Sequence, residues 1–168
     1  MNAAVAIFEE GFSEILATLD GLEHAPKHEL LDNIGRLVQE QTRRRITDEK
    51  TTPAGRPWPA NLAGTPILYR SGALAGSIDY IAGDDQVMVG SGLPYAGIHQ
   101  TGGKTSPHEI RAKKGKTLAF MAGGDLVYRS KVNHPGSLIP PRQYLGLSLD
   151  NEIEILDATE EWLRGLLQ

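Results

Sequence analysis

Apolar side chains follow a helical period at both ends of this chain and a strand-like period in its middle. Apolar residues recur three and four apart over three stretches, at about residues 3–21, 26–48 and 141–167. Segments with the character of strands lie between them, at about residues 77–82, 86–91, 109–112, 117–122 and 125–132. Helices that precede and follow a block of strands differ from the alternating βαβ pattern. The sequence therefore predicts an α+β fold, in which long N-terminal helices and a C-terminal helix bracket a central antiparallel sheet of about four or five strands.

Turn residues divide the predicted strands. Gly83, Asp84 and Asp85 separate the first two segments, and Gly123 and Gly124 separate the last two. Short glycine-containing connections between such segments are typical of β-hairpins. We therefore expect one hairpin at each position.

Residues 51–66 hold too many helix and strand breakers for regular structure. Six prolines and glycines fall within this stretch: Pro53, Gly55, Pro57, Pro59, Gly64 and Pro66. Ordered loops of this length are usually functional or tied down, and Trp58 is a large apolar anchor within this one. Trp58 either fills the protein's own core or contacts a neighbouring molecule, and the sequence leaves both open. A short helix is expected after the loop, at about residues 69–75.

Length and composition bound the class of protein. A chain of 168 residues is the size of one ordinary domain, so we expect a single domain over residues 1–168, with residues 1–25 as a possible helical appendage. The absence of cysteine excludes disulfides, thiolate catalysis and cysteine-ligated metal sites. No apolar run approaches the roughly 20 residues of a membrane helix, and the N-terminus carries acids rather than the basic region of a signal peptide. We expect a cytoplasmic protein without a membrane partner.

The net charge of −4 conceals a segregated distribution. Residues 1–25 hold five acids and no lysine or arginine, and residues 148–168 hold six acids against Arg164. Residues 101–131 carry seven lysines and arginines against two acids. An acidic end can meet a neighbour's basic flank, which favours head-to-tail contacts between identical subunits. A nucleic-acid surface is the competing interpretation.

No pattern in the sequence has the spacing of a catalytic or metal site. His24 and His28 are four apart, but Pro26 lies between them at an expected helix start. His99 could be a general base only if an acid and a nucleophile converge on it, and a structural histidine at a helix end is the simpler interpretation. Gly102 to Thr105 reads Gly-Gly-Lys-Thr, without the leading glycine of a phosphate loop. We expect no enzyme activity, no metal and no cofactor.

Two basic clusters could contact nucleic acid. Arg43 to Arg45 lie near the end of the second helix, where cations complement the helix dipole, and this is the preferred interpretation. Arg111, Lys113, Lys114 and Lys116 flank a glycine at an expected hairpin tip and could follow a phosphate backbone. The alternative is a solvated turn whose lysines protect a sheet edge. A nucleic-acid-binding accessory protein that uses residues 111–116 is therefore an alternative function.

Four short segments occur in an order that carries a family resemblance. They are Gly55-Arg56-Pro57-Trp58, Leu68-Tyr69-Arg70-Ser71-Gly72-Ala73-Leu74, Tyr95-Ala96-Gly97-Ile98-His99-Gln100-Thr101-Gly102 and Ile139-Pro140-Pro141-Arg142-Gln143-Tyr144-Leu145-Gly146. With these segments the chain resembles the phage virion morphogenesis family, the tail completion proteins of Mu-like and related tailed phages. The resemblance covers most of the chain, from about the second helix to the C-terminus.

The resemblance implies a structural assembly protein with a small α+β domain and no catalytic residue. Such a protein would act in tail completion or head-tail joining, as an oligomeric ring at the head-proximal end of the tail. Its expected partners are other copies of itself, the tail tube, and terminator or neck proteins. In a ring, the basic loop could also line a channel that DNA traverses. Its expected location is the bacterial host cytoplasm during assembly, and then the tail or neck of the virion.

Five residues are predicted to form subunit or partner contacts. Trp58 is an aromatic anchor in its loop, and Arg142 and Tyr144 provide polar and aromatic groups of the kind that anchor interfaces. Tyr95 and His99 lie among glycines that allow close backbone approach. We therefore predict that Trp58, Tyr95, His99, Arg142 and Tyr144 take part in assembly contacts.

Overall fold

The first ordered element is a long amphipathic helix followed by a wider turn. The computed structural model of the protein describes residues 26–61, 64–113 and 116–166. Helix α1 (Lys27–Arg44) continues into a π-helical turn at Arg45–Glu49, which ends where Lys50 adopts a left-handed backbone with φ 57°. The helix predicted over residues 26–48 is confirmed. The helix predicted over residues 3–21 lies outside the described residues.

A β-hairpin packs on one face of α1. Strands β1 (Ile78–Ala82) and β2 (Val87–Ser91) pair antiparallel, so the hairpin predicted around residues 83–85 is confirmed. Gly35 allows the close approach of helix and hairpin, because a Cβ atom there would lie 2.3 Å from Cδ2 of Tyr80. The Tyr80 hydroxyl donates a hydrogen bond to Asp32 Oδ1 at 3.0 Å. The hairpin is thereby fixed to the helix by packing and by a polar contact.

Two short helices lie on either side of the hairpin in the sequence. Helix α2 (Ala73–Gly76) begins later than predicted, because Gly72 has a left-handed backbone with φ 74° that cannot continue a helix. Helix α3 is Ala96–Thr101. As predicted, residues 51–61 and 64–66 contain neither helix nor strand, apart from an isolated bridge between Thr51 and Pro57.

Residues 103–113 and 116–139 form a long antiparallel arm, which we call the β-arm. Its six strands are β3 (Gly103–Lys104), β4 (His108–Arg111), β5 (Leu118–Ala122), β6 (Asp125–Arg129), β7 (Lys131–His134) and β8 (Leu138–Ile139). They pair as β3 with β8, β4 with β7 and β5 with β6. The second predicted hairpin is confirmed, with its turn at Gly123 and Gly124.

The prediction of a central sheet of four or five strands is wrong in one respect. The strands are antiparallel and the fold is α+β, but they form four separate two-stranded sheets. The physical reason is a change of register along the β-arm. Arg111 pairs with Lys131, whereas the next strand begins with Leu118 paired to Arg129. Six positions of the sequence (112–117) therefore separate the two ladders on one side and only Ser130 separates them on the other, so the ladder breaks at Ser130.

This change of register also corrects the position of the basic loop. Residues 112–113 and 116–117 lie outside the strands, midway along the β-arm, and we call them the bulge. Lys116 N donates a hydrogen bond to Lys113 O at 2.9 Å. The sequence predicted that residues 111–116 lie at a hairpin tip, but the turn of this arm is at Gly123 and Gly124. The basic residues therefore lie along one side of the arm rather than at its end.

The last helix begins later than predicted. Helix α4 is Leu149–Leu166, whereas helical pattern alone suggested a start near residue 141. Ser148 and Asn151 exchange side-chain hydrogen bonds with each other's backbone N–H, at 3.2 and 3.3 Å, and so form a capping arrangement. Residues 140–146 contain neither helix nor strand, and backbone groups of residues 142–146 bond to other parts of the molecule.

The core lies between α1, the β1–β2 hairpin and α4, and two segments without helix or strand contribute Trp58, Tyr144 and Leu145 to it. Its fully or almost fully buried apolar side chains include Leu30, Ile34, Ile46, Trp58, Ile78, Tyr144 and Ile155. Within the described parts of the chain, no helix is both long enough and apolar enough to span a bilayer.

Candidate assembly surfaces

The segment of residues 140–146, which we call the strap, contains neither helix nor strand and bonds to several other parts of the fold. Arg45 holds it from the side of α1. The guanidinium is almost fully buried and donates hydrogen bonds to the carbonyl oxygens of Tyr144 at 3.0 Å and Gly146 at 2.7 Å. A third bond from Arg45 reaches Asn151 Oδ1 at the start of α4. One side chain thus connects the first helix, the strap and the last helix.

Helix α3 holds the strap from the opposite side. Gln100 Oε1 accepts hydrogen bonds from the backbone N–H groups of Tyr144 at 3.0 Å and Leu145 at 3.1 Å, while its Nε2 donates to Leu145 O at 3.0 Å. The Tyr144 hydroxyl donates to Ala96 O at 3.1 Å, and Arg142 N donates to His99 O at 2.7 Å. The two sequence segments around residues 95–102 and 139–146 therefore meet in space.

Gly102 ends α3 directly against the strap. Its φ is 73°, and a Cβ atom there would lie 2.9 Å from both Cδ and N of Pro141. A larger residue would be strained in its backbone and would collide with the proline. The glycine is needed because the chain turns here within contact distance of its own later segment.

The proline-rich loop is tied to the same strap. Trp58 Nε1 donates to Gln143 O at 2.9 Å, and its indole is buried in the core. Arg142 of the strap bonds to the loop in turn, because its Nε donates to Pro59 O at 3.0 Å and its Nη2 donates to Ala60 O at 3.4 Å. Of the two roles that the sequence left open for Trp58, the structure places it in the protein's own core.

The five residues predicted for assembly contacts fall into two groups. Trp58, Arg142 and Tyr144 are buried in the chain itself, and burial raises the pKa of Tyr144 to about 12. Tyr95 is exposed and His99 is half-buried. Contact of any of the five with a partner stays a prediction. The buried three would act on such a contact only by shaping the surface above them.

Tyr95 and His99 line a cavity of about 320 Å³ between α3 and the residues around α2. Their rings meet edge to face with centroids 5.9 Å apart. Arg70 and Tyr69 also line the cavity, and the Lys50 ammonium lies 5.1 Å from the centre of the Tyr69 ring. Among the described lining residues, Arg70 brings a positive charge to the cavity, which suits a polar or anionic group of a partner.

The environment of His99 favours its neutral form. Burial, with the nearby positive charge of Arg142, lowers the pKa of His99 below its ordinary value. Its Nδ1 is buried without a hydrogen-bond partner among the described residues. Ser71 lines the same cavity, but the described lining residues include no carboxylate that could orient the imidazole. The arrangement therefore lacks the third member of a hydrolytic triad.

The outer part of the β-arm exposes apolar side chains. Met121 lies opposite Leu126, and Ala119 lies opposite Tyr128, so these four share one face of the β5–β6 hairpin. Met121, Leu126 and Tyr128 are 65%, 54% and 58% exposed. The other face carries Phe120 opposite Val127 and is half-buried. A two-stranded ribbon with apolar residues on both faces is marginally stable in water and is typical of an element that binds a partner.

The described basic residues in and beside the bulge are exposed, and Arg111 at the end of β4 is already paired. Arg111 Nε lies 2.5 Å from Glu109 Oε1, and Lys131 Nζ lies 3.3 Å from Glu109 Oε2. Lys113 and Lys116 are exposed, while Lys114 lies outside the described residues. Glu109 therefore neutralises part of the positive charge that the sequence places on this segment.

The comparison with known families decides the class of this protein. A sequence model of the phage virion morphogenesis family matches residues 7–164, which is nearly the whole chain. The chain belongs to this family. The resemblance carried by the four short segments is confirmed, and with it a role in phage morphogenesis. No curated protein and no solved structure matches the chain.

Two features of this virion morphogenesis protein were missed from its sequence. Arg45 was interpreted through the helix dipole, although it lies seven residues beyond Val38 and fourteen beyond Leu31, on the buried face of the helix. That spacing was a usable signal. The role of Gln100 had none, because its partners lie more than forty residues away in the sequence.

Proposed function

We propose that this member of the virion morphogenesis family acts in tail completion or head-tail joining. It would form an oligomeric ring at the head-proximal end of the tail and contact tail tube, terminator or neck proteins. It would work by binding rather than by catalysis, in the host cytoplasm during assembly and then in the tail or neck of the virion.

The observation that carries this proposal is the β-arm. It places exposed apolar residues at the end of a long ribbon whose strands pair only with each other among the described residues. Unpaired strand edges and exposed apolar area are both liabilities for a protein that works alone. They suit a subunit that becomes covered in an assembly.

Charge distribution supports a ring in particular. The described β-arm carries six lysines and arginines against two acids, whereas α4 carries six acids against one arginine. A ring needs heterologous contacts, in which one surface of a subunit meets a different surface of the next. Two surfaces of opposite charge on one chain meet that requirement.

The role in assembly can be tested in lysates of a host whose prophage lacks this gene. Electron microscopy would count joined particles, free heads and free tails, with the gene supplied from a plasmid as the control. We expect free heads beside unjoined, unstable or overlong tails, and restoration by the plasmid. Joined particles at the normal number without the gene would overturn the proposal.

DNA binding by the bulge is the second candidate function, favoured by the exposure of Arg111, Lys113 and Lys116. Binding of this kind weakens steeply with salt because counterions are released from the phosphates. We would measure binding of duplex and single-stranded DNA at low and physiological salt, for the wild type and for the variant with Lys113, Lys114 and Lys116 changed to glutamine. Absence of binding at low salt would remove this candidate.

A further inference from the structure

The exposed face of α4 has the same character as the exposed face of the β-arm. Leu149, Ile153 and Leu156 are 72%, 48% and 51% exposed. Their spacing of four and three residues places them on one stripe of the helix. The opposite face of α4, with Asn151, Ile155 and Thr159, is buried in the core. Helix α4 therefore carries a second apolar stripe that the described part of the chain does not bury.

The charges around the two surfaces are opposite. Exposed acids border the α4 stripe: Asp150, Asp157, Glu160 and Glu161. Exposed bases outnumber exposed acids along the described β-arm, which carries Glu109 and Asp125 against Lys104, Arg111, Lys113, Lys116, Arg129 and Lys131. Like charges would repel two copies of either surface, so arm-to-arm and helix-to-helix contacts are disfavoured. The charges favour an arm that meets a helix.

The dimensions of the two apolar patches are similar. Leu149 and Leu156 are separated by about 10 Å along a helix that rises 1.5 Å per residue. Leu126 and Tyr128 are separated by about 7 Å along a strand, and the paired strand adds about 5 Å of width. A helix of this kind can therefore lie across the hairpin and cover most of its exposed apolar face.

From these observations we propose that the Met121, Leu126 and Tyr128 face of the β-arm of one subunit docks on the Leu149, Ile153 and Leu156 stripe of α4 of a second copy. The proposal rests on the proposed ring and names its contact. Because the two surfaces differ, each subunit offers a free arm on one side and a free helix on the other. Repetition of the contact closes a ring when the rotation between subunits permits it.

The absence of cysteine makes this contact directly testable by cross-linking. One chain would carry Leu126→Cys, and a second chain with a larger tag would carry Ile153→Cys. The two are co-expressed, purified as an assembly and oxidised or treated with a short bifunctional maleimide. The matched control replaces Leu126→Cys with Ile81→Cys. Ile81 is 65% exposed against 54% for Leu126, but it lies on β1, in the part of the fold outside the β-arm, which we call the body.

We expect a covalent dimer of one tagged and one untagged chain, at a yield roughly ten times that of the control pair, because contact raises the effective concentration of the two thiols. Changing Asp157 and Glu160 to lysine should abolish this dimer. Each single-cysteine chain alone should give no dimer above the control.

Four results would overturn the proposal. Assemblies of full mass that cross-link only at the control rate would reject this contact while leaving the ring intact. A monomer at every concentration, alone and with purified tails, would reject the ring as well. Dimers from Leu126→Cys alone would indicate an arm-to-arm contact instead. Protection of the Ile153→Cys thiol in isolated monomers would show that the chain covers the α4 stripe itself.

Discussion

The strap and the β-arm use hydrogen bonds in opposite ways. The strap has little regular secondary structure, yet side chains from α1, α3 and the proline-rich loop bond to its backbone and hold it in the core. Most of the described β-arm lies in strands, yet its backbone bonds run between its own strands and most of its described side chains are exposed. In this protein, the segment with less regular secondary structure is therefore the one with more hydrogen bonds to the rest of the fold. We therefore expect changes in the strap to lower the stability of the body, and we propose that changes in the β-arm alter what the protein binds.

Replacement of Arg45 should give the largest loss of stability. Arg45→Ala removes the donors to Tyr144 O, Gly146 O and Asn151 Oδ1. Each buried acceptor without a partner costs about 1–3 kcal/mol. At about 2–4 °C per kcal/mol for a chain of this size, the melting temperature should fall by roughly 10 °C.

The adjacent Arg44 is the control for this experiment. It is exposed and forms surface ion pairs with Glu49 and Glu154, which contribute about 0–1 kcal/mol. Thermal unfolding followed by circular dichroism would compare Arg44→Ala with Arg45→Ala. Equal melting temperatures for the two variants would contradict a special role of Arg45.

Replacement of Gln100 should give the next largest effect. Gln100→Leu keeps the side-chain volume but leaves two backbone N–H groups of the strap and Leu145 O without their partner. We expect a loss of about 2 kcal/mol in the free energy of unfolding. Gln143→Leu is the control, because the Gln143 side chain is exposed and only its backbone carbonyl accepts from Trp58. Urea unfolding that gives equal losses for both variants would show that the amide of Gln100 does not hold the strap.

A smaller effect should appear as a dependence on pH. The pKa of His99 is lowered in the folded protein by burial and by Arg142, so the unfolded chain binds more protons as the pH falls. Stability from this group is complete above the ordinary pKa of about 6.5 and decreases as the pH falls toward the folded value. Between pH 7.5 and 5.5, His99→Gln should lose less stability than the wild type. Parallel stability curves for the two proteins would contradict this account of His99.

The smallest effect on stability should come from the β-arm. Leu126→Thr with Tyr128→Thr keeps strand-forming residues at positions that are more than half exposed. We expect a change in the free energy of unfolding within about 0.5 kcal/mol. The matched variant in the body is Ile81→Thr, at a position that is 65% exposed. A large loss of stability from the arm variant alone would mean that the arm packs on the body.

Sequence reasoning was most successful where structure is local. The face of α1, the β1–β2 hairpin and the turn at Gly123 and Gly124 follow from periodicity and turn residues within a few positions. It failed where the outcome depends on distant partners. The start of α4 was placed too early because residues 142–146 carry a pattern compatible with a helix. In the structure, Arg45 and Gln100 form hydrogen bonds with the backbone groups of this segment that a helix would have used.

The same distinction explains the candidate surfaces. The sequence indicates that strands exist between residues 103 and 139, but the pairing of Arg111 with Lys131 and of Leu118 with Arg129 depends on how the inserted residues are accommodated. Tryptophan and tyrosine are common both in cores and at interfaces, so composition could not separate Trp58 and Tyr144 from Tyr128. Burial separates them, because the first two are inside and the third is exposed.

The most direct test of the division between body and arm is electron microscopy of lysates in which the missing gene is replaced by variants. The prophage without the gene would receive the wild type, Ile81→Thr, or Leu126→Thr with Tyr128→Thr, at equal levels of folded protein. We predict joined particles at the normal number for the first two, and free heads beside unjoined tails for the arm variant. Normal numbers of joined particles with the arm variant would contradict the claim that the β-arm is the assembly surface.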